Sequence, residues 1–317
     1  MAVSSITSVA VVGTGQMGPG IAVATTLAGV PTTLIGRSDE SVERGGRAYR
    51  AALGFLVDHG AVSPEEASAA RGRLAPSTDL AAAASADLIV ESIVEHLPTK
   101  QQFFVDLEAL CPPETLISSN TSGLRITDIA ARMQRPERAV TTHFWNPGHL
   151  MPLVEVIQGE RTAEETVQRV FAFLTACGKR PVIGRKDVPG QICNRLFQAV
   201  IREAIYIVEE GIASAEGVET AIKAGMGLRF PVWGPLEHID AAGLDLAVQV
   251  QGTVLPSLCR STEPGQYLQD LVARGDLGAK TGRGFYDWAA RSMDDLKETR
   301  DLFLVERYKE ARRSRQA

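Results

Sequence analysis

Near the N-terminus an apolar run, Ser8 to Val12, meets Gly13-Thr14-Gly15-Gln16-Met17-Gly18 and then a helical pattern from Ile21 to Leu27. A strand that feeds Gly-x-Gly-x-x-Gly and a helix opens a parallel βαβ unit built around a pyrophosphate. The first glycine permits the tight turn, the second a close backbone approach to the diphosphate, and the third close helix–strand packing. Exposed amides and the positive end of the helix dipole then favour the phosphate anion. The spacing assigns Gly13, Gly15 and Gly18, with Gln16 and Met17 between them, to a dinucleotide cofactor.

The next stretch keeps the same rhythm. Strand patterns at 32–35, 87–91, 116–119, 139–144, 153–158 and 180–183 alternate with helical patterns at 39–59, 64–73, 99–110 and 163–177. Such alternation implies a parallel sheet with helices on both faces. The character changes at Asp187-Val188-Pro189-Gly190, after which helical patterns cover 192–210, 214–224 and 241–259, with Ser214 as an N-cap. The expected fold is α/β: a Rossmann-type N-terminal domain over 1–187 and a mostly α-helical C-terminal domain over 188–317. Residues 290–313 carry Met293, Leu296, Leu302, Phe303 and Tyr308 at helical spacing, which suits a cap or an oligomer contact. The basic end, Arg312-Arg313-Ser314-Arg315, reads as a frayed, solvated tail.

Composition narrows the partners. At 317 residues there is room for two cores, and a net charge of −5 without basic clusters before the last residues gives no reason to expect nucleic acid. Four scattered cysteines without a CxxC pair, and five histidines without ligand spacing, argue against a disulfide or metal framework and for a reducing, cytoplasmic setting. No leader pattern and no apolar run near the roughly 20 residues that span a bilayer point to a protein without membrane partners.

The second strand ends Thr32-Thr33-Leu34-Ile35-Gly36-Arg37-Ser38, without the carboxylate that usually binds the adenosine ribose. Arg37, with Ser38 as a donor, suits a 2′-phosphate, so NADP(H) is favoured over NAD(H). The alternative is a loop arginine with Asp39 or Glu40 reaching the ribose.

Further on, Thr142-His143-Phe144-Trp145-Asn146-Pro147-Gly148-His149-Leu150-Met151-Pro152-Leu153-Val154-Glu155 reads as strand, turn, strand. A turn centred near 149 sets 143 opposite 155 in an antiparallel hairpin, where Cβ atoms lie about 5 Å apart. A neutral imidazole backed by a carboxylate accepts a proton as an alcohol is oxidised. Taken alone, such a histidine is more often a structural or surface residue than a base; its place after a nucleotide-binding half gives the pairing weight.

These motifs, in order, make the chain resemble the 3-hydroxyacyl-CoA dehydrogenase family to about residue 288. GTGQMGPGIA, VESIVEHLPTK at 90–100 and SSNTSGL at 118–124 are followed by HFWNP at 143–147 and PLVEVI at 152–157. DVPGQICNRL at 187–196 and KTGRGFYDW at 280–288 complete the set. The resemblance implies that His143 is the catalytic acid/base, Glu155 its orienting partner, and Ser122 and Asn194 the donors to the substrate oxygen. It implies that Glu95 and Lys100 contact the nicotinamide half of the cofactor. It also implies an active site in the cleft between the domains, a small-molecule substrate, and a homodimer formed through the helical domain. On the residues alone, Ser122 is a turn residue, Asn194 a helix cap, and Glu95 and Lys100 helix-surface charges.

Two departures bear on substrate. Family members acting on CoA esters carry lysines in the segment matching Phe55–Gly60, where this chain has Asp58 and His59; an aspartate repels a polyphosphate. A shifted alignment would bring Arg47 or Arg50 there instead. The second is Arg229 in Gly225-Met226-Gly227-Leu228-Arg229-Phe230. It is shared with the branch that resembles lambda-crystallin (L-gulonate 3-dehydrogenase) and carnitine dehydrogenase, enzymes of free hydroxy acids. Arg229 would clamp a carboxylate bidentately, or else form an interface salt bridge. Trp145, His149 and Trp233 are candidates to line the pocket. The expected activity is NAD(P)-dependent 3-hydroxy/3-oxo interconversion on an acid without CoA. The alternative is a short-chain 3-hydroxyacyl-CoA dehydrogenase; a reductase of other carbonyls or imines, and a non-catalytic crystallin-like relative, are more remote.

Overall fold

The βα alternation forms one eight-stranded sheet in the computed structural model, which describes residues 6–316. Its strands are β1 (Val9–Val12), β2 (Thr32–Ile35), β3 (Leu74–Ser77), β4 (Leu88–Glu91), β5 (Leu116–Ser119), β6 (Ala139–Phe144), β7 (Leu153–Ile157) and β8 (Arg180–Gly184). Connections are made by α1 (Gly18–Leu27), α2 (Asp39–Asp58), α3 (Pro64–Gly72), α4 (Leu97–Leu110), α5 (Ile126–Ile129) and α6 (Glu164–Ala176). The spatial order is β3-β2-β1-β4-β5-β6-β7-β8, parallel throughout except that β7 runs antiparallel to β6 and carries β8 parallel to itself. Strand order therefore reverses at β1, and a ligand crevice belongs at the carboxyl ends of β1 and β4. Every residue of β1 and β4 is buried, which is why β1 reads as an unbroken apolar run and β4 does so up to Glu91 at its carboxyl end.

One strand escaped the sequence pattern. Leu74-Ala75-Pro76-Ser77 lies at the sheet edge, half-exposed, where a proline without an N–H is tolerated. Helix α1 begins three residues before its apolar pattern because Pro19 suits the first turn.

Contacts divide the chain into two units, residues 1–194 with 298–317, and residues 195–297. The second unit takes most of α7 (Cys193–Glu209), then α8 (Ala215–Ala221), a π-helical turn at Ile222–Met226, and α9 (Gly227–Arg229). It continues with α10 (Pro235–Ala242), α11 (Leu244–Val254) and α12 (Gln266–Ala273). Ser214 caps α8, accepting from the Gly217 amide. The expected helix at 241–259 is broken at Gly243, whose φ of 102° only glycine adopts readily.

The last helix, α13 (Met293–Gln316), differs from expectation. From residue 298 it belongs with the sheet rather than with the helical domain. Val305, fully buried, and Leu304 and Tyr308 beside it pack on Tyr49, Leu53 and Leu56, while Leu296, Leu302 and Phe303 stay exposed. Its basic end is not a frayed tail, because Arg312 pairs with Glu66 of α3 and the helix runs on to Gln316. Among the described residues no helix is long and apolar enough to cross a membrane.

Candidate active site

Three glycines shape the loop after β1, each for a different reason. A Cβ on Gly13, whose φ is 119°, would lie 2.2 Å from the Ser92 carbonyl oxygen, and one on Gly18 would lie 1.8 Å from the Gly13 carbonyl oxygen. Gly15 has nothing within 4 Å and so offers open backbone. The loop faces a cavity of about 1000 Å3, lined by Gly13, Gly15, Gln16 and Met17 and running on to Glu95, Ser122, His143 and Asn194.

Beyond β2 the same cavity is lined by Arg37, Ser41, Arg44 and Thr78, without a carboxylate. Gly36 is dictated by packing, since a Cβ there would sit 2.6 Å from Ser41 Oγ and 2.8 Å from Val42 Cγ2. Ser38 is occupied as the α2 cap: its hydroxyl accepts from the Ser41 amide and Ser41 Oγ accepts from the Ser38 amide. Arg44, which no motif flagged, lies on α2 and is only loosely paired with Glu40 at 3.7 Å.

The hairpin has the expected register, with His143 opposite Glu155. His143 Nδ1 donates to Glu155 Oε2 at 2.8 Å, which makes Nε2 the acceptor nitrogen of the neutral ring. Trp145 Nε1 donates to the same oxygen at 3.0 Å. The other oxygen accepts from the Ile192 and Cys193 amides at 2.9 and 2.8 Å. Burial alone would raise this carboxyl; the bonds from His143, the Cys193 amide, Trp145 and the Ile192 amide outweigh it and bring it to about 2. The Ile192 and Cys193 amides are delivered by a sharp bend at Gln191, whose φ of 55° is left-handed and whose side-chain Nε2 donates to the Thr121 carbonyl.

A second buried cluster supports the Ser122 loop. Lys100 Nζ, 1% exposed, donates to Glu91 Oε1 at 2.6 Å, and Ser119 Oγ donates to Glu91 Oε2 at 2.7 Å. Glu95 Oε1 accepts from the Thr121 hydroxyl and from the Ser122 and Gly123 amides. Burial would raise the Glu95 carboxyl, but the Thr121 hydroxyl and the Lys100 charge bring it below its ordinary value. Glu95 thus lines the cavity, whereas Lys100 lies beneath it. Asn194 Nδ2 donates to the Ser122 carbonyl at 3.1 Å, and no hydrogen bond engages the Ser122 hydroxyl among the described residues. Asn120, another residue without an assigned role, accepts the Phe144 amide at 2.8 Å and ties β5 to the start of the turn.

Not every candidate meets here. His149 lies in a separate cavity of about 260 Å3 with Cys177, Lys179, Leu304 and Tyr308, where burial and Lys179 push its imidazole down to about 4. Arg229 and Trp233 belong to the second unit; Trp233 packs on His238, and Arg229 has no ion-pair partner among the described residues. Asp58 ends α2, and His59 Nδ1 bonds the Phe55 carbonyl.

A glycine-lined nucleotide crevice at a strand-order reversal, joined to a His–Glu pair, defines a nicotinamide-dependent dehydrogenase of two domains. The 3-hydroxyacyl-CoA dehydrogenase NAD-binding domain matches residues 8–188 and the 3-hydroxyacyl-CoA dehydrogenase C-terminal domain matches residues 190–288. The chain belongs to the 3-hydroxyacyl-CoA dehydrogenase family. It is 38% identical over 288 residues to the 3-hydroxyadipyl-CoA dehydrogenase of Escherichia coli, matching 90% of this chain but only 60% of that protein's length. A probable 3-hydroxybutyryl-CoA dehydrogenase of Bacillus subtilis is also 38% identical, over 90% of this chain and 99% of its own. The crystal structure of 5-formyl-3-hydroxy-2-methylpyridine 4-carboxylic acid 5-dehydrogenase, an NAD+-dependent dismutase, matches with a TM-score of 0.89 at 30% identity, covering 97% of this chain and 99% of that one.

Proposed function

We propose that the chain interconverts 3-hydroxy and 3-oxo acids that bear a free carboxylate instead of a CoA thioester, using NADP(H) in preference to NAD(H). The observation that carries the dehydrogenase reading is the His143–Glu155 pair opening onto the glycine-lined cavity. The donor set suits a dinucleotide: open backbone at Gly15 and the α1 N-terminus for the diphosphate, with Gln16 and Met17 alongside. A bound nicotinamide supplies the hydride acceptor or donor. His143 Nε2 takes the hydroxyl proton in oxidation and returns it in reduction, while Glu155 holds the tautomer and stabilises the imidazolium. The Ser122 hydroxyl and the Asn194 amide orient the substrate oxygen. Glu95, held by Lys100, keeps the Ser122 loop in place beside the cofactor.

Arg37 and Arg44, with no acid lining their part of the cavity, support a 2′-phosphate, for which guanidinium geometry is well matched. Three observations support the free acid. Arg229 follows a π-helical turn, a feature frequent at functional sites, and lacks an ion-pair partner among the described residues. The tip of α2 presents Asp58, and its neighbour His59 is tied to backbone. The dehydrogenase of a pyridine carboxylic acid matches 97% of this chain with a TM-score of 0.89, against 0.77 for the 3-hydroxybutyryl-CoA dehydrogenase structure from E. coli. Arg229 would hold the carboxylate, and the rings of Trp145 and Trp233 would favour a compact substrate. The names of the E. coli and B. subtilis relatives favour the second reading, a short-chain 3-hydroxyacyl-CoA dehydrogenase. Exposed apolar side chains on α10 and α11 support a homodimer through the helical unit, and four unpaired cysteines support a reducing, cytoplasmic setting.

Two variants test the reading in one assay. His143→Gln should lower kcat by at least ~100-fold, the loss expected for a general acid/base. Arg229→Ala should raise KM for a free 3-oxo acid about tenfold or more with kcat largely kept, as loss of uniform binding requires. Near-full activity in the first removes His143 from the chemistry; an unchanged KM in the second makes Arg229 structural.

A further inference from the structure

We propose that Trp145 is a positioning residue that sets the proton affinity of His143 through the Glu155 oxygen the two side chains share; this rests on the acid–base role given to His143 above. Oε2 accepts the imidazole Nδ1–H at 2.8 Å and the indole N–H at 3.0 Å. The carboxylate is fully buried, so the two donors compete for its charge in a low-dielectric surrounding. Oε1 is anchored by the Ile192 and Cys193 amides, which keep the carboxylate in place when a donor on Oε2 is changed. The backbone orients and the indole tunes.

The sign follows from charge. An imidazolium is stabilised by negative charge on Oε2, and a neutral N–H dipole aimed at that atom draws part of it away. The indole also lies close to the imidazole, with ring centroids 5.7 Å apart. Trp145 therefore lowers the proton affinity of His143 and favours release of the proton after each turnover.

The other ionisable groups around the pair do not account for such tuning. β6 and β7 carry only His143 and Glu155 themselves, and β8 carries Arg180, exposed at its start. At the start of α7, burial and the Glu155 charge hold the Cys193 thiol above its ordinary value, hence neutral. Glu95 is engaged by Thr121, the Ser122 and Gly123 amides and Lys100. His149, in the turn, faces the separate cavity with Lys179.

Trp145→Phe keeps an aromatic ring and removes the N–H. With the whole enzyme, the acid limb of kcat/KM against pH should move up by about half a pH unit, a roughly threefold change in proton affinity. A merely structural role would lower kcat at every pH and leave the limb where it was; an unmoved limb overturns the proposal. Nuclear magnetic resonance gives a readout independent of turnover. The chain has three tryptophans, and the indole N–H signal missing from Trp145→Phe is that of Trp145. In the wild-type protein that signal should shift with pH as His143 changes charge, and in His143→Gln it should not. A Trp145 signal that stays fixed in the wild-type protein also overturns the proposal. A signal that titrates with His143 in a protein showing no dehydrogenase activity would instead sink the proposed function and keep the coupling.

Discussion

The sheet-bearing unit hides its charges, whereas the helical unit shows its apolar side chains. Glu91, Lys100 and Glu155 are at most 1% exposed and every one is hydrogen-bonded, while Val232, Leu236 and Val248 are 86%, 73% and 72% exposed. No residue of α7, α10 or α11 is buried. Buried charges persist only when paired and fully bonded, so the geometry around His143 is over-determined within one chain. An uncovered apolar face marks a surface that gains by being covered. Among the described residues the hydrogen bonds to Glu155 are all supplied within one copy, and the most exposed apolar side chains lie in the helical unit.

The largest expected effect would break the first half of this contrast. Lys100→Met leaves Glu91 buried without its cation and should destabilise by ~3–5 kcal/mol in denaturant unfolding; a loss below about 1 kcal/mol, the range of an exposed pair, would show that the pair is solvated. Glu155→Gln sharpens it through pH. The native carboxyl lies at about 2 against an ordinary 4.5, so its stabilisation is present above the unfolded value and is lost as pH falls through about 2. The variant should be less stable by about 3 kcal/mol at neutral pH. The gap should close as pH falls from about 4.5 to about 2, and a gap that stays constant down to pH 2 would contradict the bonding around Glu155. The smallest effect concerns the other unit. Val248→Glu on α11 should shift a dimer to monomer in light scattering while costing the monomer within about 0.5 kcal/mol, as for an ordinary surface site. A wild-type chain that is already monomeric would remove the proposed homodimer.

What was legible from sequence follows the range of the interactions. The His143–Glu155 register could be read because a hairpin has period two and the turn fixes its centre. The rest of the Glu155 shell could not, since the Ile192 and Cys193 amides arrive from more than 35 residues away through a left-handed Gln191. The indole of Trp145 read as pocket lining; that its N–H reaches Glu155 depends on a side-chain direction no pattern encodes. His149 lies in the family-like turn, yet faces α13 and Lys179 rather than the glycine-lined cavity. Arg44 carries no motif signal, since its place beside the cavity depends on which face of α2 borders it. The edge strand at Pro76 was hidden by its own composition.

Initial rates of NAD(P)H oxidation with acetoacetyl-CoA beside unesterified 3-oxo acids, each with both cofactors, test the central claim most directly. A free acid with NADPH should give the higher kcat/KM. A preference for the CoA thioester would contradict it and return Asp58, His59 and Arg229 to structural roles.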